Sequence, residues 1–189
     1  MAAGPVTNGW KYLTISGELE AYNLNGQLLS FADRIGLTQT LAYDANAHLT
    51  SVTDSFGRQL NFTYDSNSRI STLTDPAGGL YQYAYDTSNN LASVTYPDGN
   101  SKTYHYENTG IPHALTGITD ENGNRYATYT YGIQGHATST EHAGGADLAS
   151  LVYNTDGSTT VTDALNTSRT YNFQTIMGIV KKPYHWLNF

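Results

Sequence analysis

Between Arg58 and Tyr64 every second residue is apolar. Leu60, Phe62 and Tyr64 alternate with Gln59, Asn61 and Thr63, the period-two pattern of a β-strand with one covered face. Asp65-Ser66-Asn67-Ser68 follows, and the short side chains of such residues bond their own backbone and tolerate turn geometry. A second strand is predicted over 69–74, and Asp75-Pro76-Ala77-Gly78 makes the next turn. The same order returns as Tyr81, Tyr83 and Tyr85, a turn at 86–89, a strand over 90–96 and a turn at Pro97-Asp98-Gly99-Asn100. Turn signals thus come every 10 or 11 residues, the cadence of a hairpin meander. The second strand of each unit carries apolar residues at i and i+3: Leu49 and Val52, Ile70 and Leu73, Leu91 and Val94, Leu115 and Ile118. A flat strand would put these on opposite faces, so the spacing implies either a recurrent bulge or a side chain reaching round the sheet edge. No stretch of useful length carries a 3.6-residue period.

The unit repeats. Tyrosine followed by a polar turn occurs at Tyr22, Tyr43-Asp44, Tyr64-Asp65, Tyr85-Asp86, Tyr106, Tyr131 and Tyr153, with successive spacings of 21, 21, 21, 21, 25 and 22 residues. Gly36, Gly57, Gly78 and Gly99 keep the same 21-residue period in a second register. Two marks holding one period define a repeat array. The 25-residue interval places an inserted loop around Gly110-Ile111-Pro112-His113. The expected fold is all-β, an antiparallel β-hairpin repeat strip forming an open or spiralling sheet. The expected organisation is an opening segment at 1–16, about seven repeats over 17–173, and a divergent segment at 174–189 that caps the array or makes a contact. Ile176, Ile179, Trp186 and Phe189 in that last segment are candidate assembly contacts.

Composition narrows the function. Charged residues are only 13% of the 189, tyrosines number 16, and the formal net charge is −7. No basic stripe exists to neutralise phosphates, which argues against nucleic acid, and the acidic balance argues against an anionic membrane surface. The longest apolar run near the C-terminus, 176–180, is far too short to insert in a bilayer. Without cysteine, a disulfide framework or cysteine zinc site is excluded. Residues 1–9 have no basic and apolar pattern of a signal peptide.

Candidate chemistry reduces to structure at each point. Asp44, Asp65 and Asp86 lack the convergence of a calcium loop and read as turn caps. The six histidines have no metal-site spacing beyond the loose His136 and His142, and no serine sits in a nucleophile elbow near His142 or Asp147. The glycosylation-type triplets at Asn61 and Asn166 read as chance matches. No catalytic residue, metal site or cofactor is expected, and the chain is expected not to be an enzyme. Identical tyrosines one repeat apart would lie on neighbouring units as the covered face of the sheet, where cross-strand aromatic pairs add about 0.2–1 kcal/mol each.

The YD dipeptide, the Leu-x-x-Val pair and the Thr-Asp-x-x-Gly turn together resemble the RHS/YD-repeat family. The clearest stretch is GRQLNFTYDSNSRISTLTDPAGGLYQYAY, residues 57–85, and the resemblance covers roughly 17–173. It implies a structural role. In that family long arrays of these hairpins spiral into a hollow shell, which encloses a toxic C-terminal segment in bacterial members and serves adhesion in animal ones. The Asp75-Pro76-Ala77-Gly78 stretch is similar to the family's self-cleavage signature, but its place at a repeat turn carries no protease role. The resemblance implies a bacterial, secreted shell or scaffold segment that encloses or presents a toxin or other cargo. A self-assembling extracellular filament and a glycan- or protein-binding adhesion module are the alternatives. Seven units are too few to close a large cavity, and an open strip leaves edges that invite strand addition. Further YD repeats or other copies of the chain are therefore the expected partners.

Overall fold

The computed structural model describes residues 4–6, 9–176 and 179–181. It is all-β, and its described helical content is one 3-10 turn at Ala143–Gly145. The chain divides into two compact units, one of residues 1–84 with 94–99, the other of 85–93 with 100–189.

The first unit contains β1 (Gly4–Val6), β2 (Gly9–Leu13), β3 (Leu19–Asn23), β4 (Leu28–Ala32), β5 (Thr38–Tyr43), β6 (Leu49–Thr53), β7 (Gln59–Tyr64) and β8 (Ile70–Thr74). β9 (Leu80–Tyr85) and β10 (Leu91–Thr95) lie where the units divide. Each strand from β1 to β8 pairs antiparallel with the next, and β8 pairs with β9. The second unit continues with β11 (Ser101–His105), β12 (Gly117–Thr119), β13 (Arg125–Tyr131), β14 (Ala137–His142), β15 (Ala146–Tyr153), β16 (Thr159–Asp163) and β17 (Ser168–Tyr171), again paired in sequence order. β18 (Gln174–Ile176) and β19 (Ile179–Lys181) form a separate hairpin. The strands predicted over 58–64, 69–74 and 90–96 match β7, β8 and β10 to within a residue at either end.

The i, i+3 spacing is a recurrent bulge. Tyr43 faces Leu49 while Ala42 faces Ser51, so Thr50 is one residue too many. Tyr64 with Ile70, and Thr63 with Thr72, leave Ser71 extra in the same way. Leu29 and Thr138 occupy the equivalent places. The extra residue resets the alternation, so that Leu49 and Val52 share the face of Tyr43 and Leu41. A hydroxyl satisfies the kink: Thr63 Oγ1 bonds both Ser71 Oγ at 2.8 Å and Thr72 Oγ1 at 2.6 Å, and Thr130 repeats the fork with Thr138 and Ser139.

The two faces differ. In the first unit Phe31, Leu41, Val52, Leu60, Phe62, Leu73 and Tyr81 lie on one face by register, while Ser30, Thr40, Ser51, Asn61, Thr63, Thr72 and Gln82 lie on the other. Among the described residues of the first unit no second layer covers the apolar face. Among the described residues the buried apolar side chains are Val94 and Ala127, and none of the large ones is fully buried. Most apolar residues are half-covered by their cross-strand neighbours, so the core is a strip one layer deep.

Candidate functional site

The contacts that join one hairpin to the next come from the tyrosines and the turn aspartates. Tyr43 Oη donates to the Leu28 carbonyl at 2.9 Å, and Tyr64 Oη to Leu49 at 2.9 Å. Tyr131 and Tyr153 bond Leu115 at 2.8 Å and Ala137 at 2.9 Å in the same manner. Each ring therefore reaches back 15 or 16 residues to the preceding unit and holds the first residue after its turn. Tyr22, at the start of the array, instead donates to Glu20 Oε2 at 2.6 Å, and that carboxylate raises the phenol's pKa. Burial is the first cause of the raised pKa of Tyr106. Tyr85 ends β9.

The aspartates cap the turns. Asp65 Oδ1 accepts the N–H groups of Asn67 at 2.8 Å and Arg69 at 3.0 Å, and its Oδ2 takes the Arg69 guanidinium. Asp44 and Asp86 close their turns with the same pair of backbone bonds. Asp33, Asp54, Asp75 and Asp120 do so at the opposite ends of the strands. The backbone of each is a three-residue hairpin loop ending in a left-handed residue. Gly57 N–H donates to the Asp54 carbonyl and Asp54 N–H to that of Arg58, with Gly57 at φ +80°. Gly36, Gly78 and Gly99 take the equivalent left-handed conformation, whereas the turns on the other side fill it with Gly26, Ala47, Ser68 and Asn89. These capping bonds hold carboxylates below their ordinary range: Asp44 through the His48 N–H, Asp65 through Arg69, and Asp86 through the Asn90 amide.

The inserted loop, between β11 and β12, is held on both flanks. Asn90, itself buried, donates from Nδ2 to Asp86 Oδ2 and to the Pro112 carbonyl, both at 2.8 Å. His113 Nδ1 lies 2.7 Å from Asn90 Oδ1, an acceptor, which places the proton on Nδ1. At the other flank Arg125 forks onto Glu107 at 3.2 and 2.9 Å and also donates to the Thr116 carbonyl. Thr116 Oγ1 donates to the same carboxylate at 2.9 Å, and Arg125 with Thr116 keeps Glu107 below the usual carboxylate range. Gly117 leaves room for that guanidinium, which a Cβ would strike. Sequence reasoning found the loop by its length but missed Asn90, Glu107, Thr116 and Arg125. Apart from the Asn90–Asp86 bond, the bonds named here span 9 to 23 residues, beyond any local signal.

The described histidines are spread, not gathered. His48 stacks on Tyr64 with ring centroids 4.4 Å apart and bonds Asp44 Oδ2. His136 packs against Tyr153, and His142 against Tyr126 while bonding Asp147 at 3.1 Å. No group of three metal-ligating side chains converges among the described residues. Ile179 is exposed in β19, and Ile176 ends β18. Trp186 and Phe189 lie outside the described residues.

These contacts define the class: an antiparallel YD-type hairpin-repeat protein whose organised polar groups serve the repeat itself. The family model of the teneurin YD-shell matches residues 6–182, and the chain belongs to that family. Its fold is similar to the crystal structures of TcdB2-TccC3 with Cdc42 (TM-score 0.58, 14% identity) and of TcdB2-TccC3 without its hypervariable C-terminal region (TM-score 0.59, 13% identity). It is similar also to the Tc holotoxin pore of Photorhabdus luminescens, at TM-score 0.56 and 13% identity. The matches cover 89%, 93% and 93% of this chain but 12% of each of those chains. No curated protein matches. The role the family and these folds support is that of a structural shell or scaffold domain. No helix among the described residues is long and apolar enough to cross a membrane.

Proposed function

We propose that this chain forms a stretch of shell wall that encloses or presents a toxic or other cargo, and that it works with further YD repeats. The observation that carries this reading is the antiparallel strip in which Tyr43, Tyr64, Tyr131 and Tyr153 each clamp the preceding hairpin. Such a strip lengthens by adding units without needing a second layer, as a wall must. The family match and the Tc toxin folds support the same reading. In this reading residues 17–173 are the wall, 1–16 lead into it, and 174–189 make a contact or cap. The repeat tyrosines, aspartates and glycines are the working residues, and chemistry on a substrate is not among their tasks. The toxin-complex likeness supports a secreted bacterial setting. Cryo-electron microscopy of the protein isolated from the cells that make it tests the proposal. A cavity walled by hairpins is the expected result. A solid particle without a cavity would overturn it, and long filaments would favour self-assembly in its place.

A further inference from the structure

The turns of the first unit fall in two rows, one along each side of its sheet, and the rows differ. On one side the turns after β3, β5 and β7 carry the amides Asn25, Asn46 and Asn67 at the same place, with Leu24 the apolar exception. On the other side the turns after β2, β4 and β6 put forward Ile15, one residue past its cap, and Ile35 and Phe56, two past theirs, which are 97%, 82% and 72% exposed, while the turn after β8 carries Pro76 and Ala77. Leu13 and Leu37, also exposed, flank the first two of these tips. Nothing in turn chemistry asks for isoleucine or phenylalanine there. Turns favour Gly, Pro, Asn, Asp and Ser, and the structural work of each loop is done by the capping side chain and the left-handed glycine.

From this row we infer an interface: the Ile15–Ile35–Phe56 side of the first unit pairs with the same side of a second copy of the chain, about a two-fold axis through Ile35. Three observations favour a second copy over another occupant. Strands lie about 4.8 Å apart, so the tips of one row repeat at roughly 9.6 Å, and an identical row matches that pitch. A two-fold through the middle tip sets Ile15 against Phe56 and Ile35 against its own copy, the self-complementary arrangement of a dimer. It also sets Glu18, beside the first tip, against the Asp54–Arg58 ion pair at the third, whose guanidinium lies 5.5 Å over the Phe56 ring. A lipid surface fits less well, because Glu18, Asp33 and Asp54 line the same row and the chain carries a net charge of −7. The exposed apolar side chains present roughly 500–700 Å² per copy, so the pair would bury on the order of 1,000–1,400 Å². That is the lower end of specific interfaces, and it sets a dimer that dissociates on dilution. The inference rests on the first unit's turn rows and not on the shell reading.

Sedimentation velocity of the full chain from about 10 μM to 1 mM tests it. The expected mass rises from 20.6 kDa toward twice that value across the series. Ile35→Asp and Ile35→Lys should each remain monomeric, since each sets like charges against one another on the axis. Mixing the two variants should restore the dimer, because Asp then faces Lys. Asn46→Asp, on the opposite row, should leave dimerisation unchanged, and circular dichroism of every variant should match the parent. A parent that stays monomeric at 1 mM overturns the inference. So does association that survives both Ile35 variants, or that is lost on truncation after Gln174 while the Ile35 variants retain it.

Discussion

A single carboxylate oxygen closes each aspartate-capped turn. Because Asp65 Oδ1 takes two backbone N–H groups, Asp65→Ala should lower the melting temperature. Asp65→Asn should lower it less, since an amide oxygen can hold the same turn, as Asn23 does with Asn25 and Gln27. Thermal melts of the two variants decide this, and equal losses would contradict the cap. At the end of the Asp44 turn, Ala47 sits at φ +68° without the freedom of glycine. Ala47→Gly should therefore stabilise the protein by about 0.5–1 kcal/mol in urea unfolding, the left-handed penalty outweighing the added entropy of the unfolded chain. Tyr64→Phe should cost about 1 kcal/mol for the lost bond to Leu49. Tyr64→Ala should cost roughly 2–3 kcal/mol, below the 3–5 of a fully buried aromatic, because the ring is only half-buried. The aspartates and glycines of these turns were legible in the sequence, since their chemistry is local. The left-handed Ala47 was not, because alanine advertises no such preference.

At the scale of the element, the period was the readable signal and the bulge was the ambiguous one. Leu49 and Val52 fix that something interrupts the alternation. Only the pairing of Tyr43 with Leu49 and Ala42 with Ser51 shows that Thr50 is the interruption. The inserted loop tells the same story. Its extra length was countable between Tyr106 and Tyr131, while the groups that hold it come from turns on either side. Asn90→Ala removes the bonds to Asp86, Pro112 and His113. It should cost about 1–3 kcal/mol, as for a buried polar network left open, and should raise proteolytic cleavage within 107–115. Limited proteolysis followed by mass spectrometry checks it, and an uncut loop with unchanged stability would contradict the anchoring. Gly117→Ala should displace the Arg125 guanidinium from Glu107 and destabilise in the same assay, whereas Gly110→Ala, which meets only the Asn108 side chain at 3.4 Å, should not.

Over the whole molecule, stability is spread along the array, because few side chains are buried and neighbouring hairpins hold each other. The capped carboxylates give that stability a pH dependence. Asp44, Asp65, Asp86 and Glu107 all have folded values below their ordinary ones. Their contribution is complete above the unfolded carboxylate range, near pH 4, and is lost as the pH falls through the lower folded values. The melting temperature should thus change little between pH 7 and 5 and drop between about pH 4 and 2. Hydrogen exchange followed by mass spectrometry is the most direct test of the repeat strip. Protection should recur with the 21-residue period, strong in β5 to β9 at 38–43, 49–53, 59–64, 70–74 and 80–85, and weak at the turn tips between them. One continuous protected block spanning turns and strands alike, or no periodic protection at all, would contradict the account.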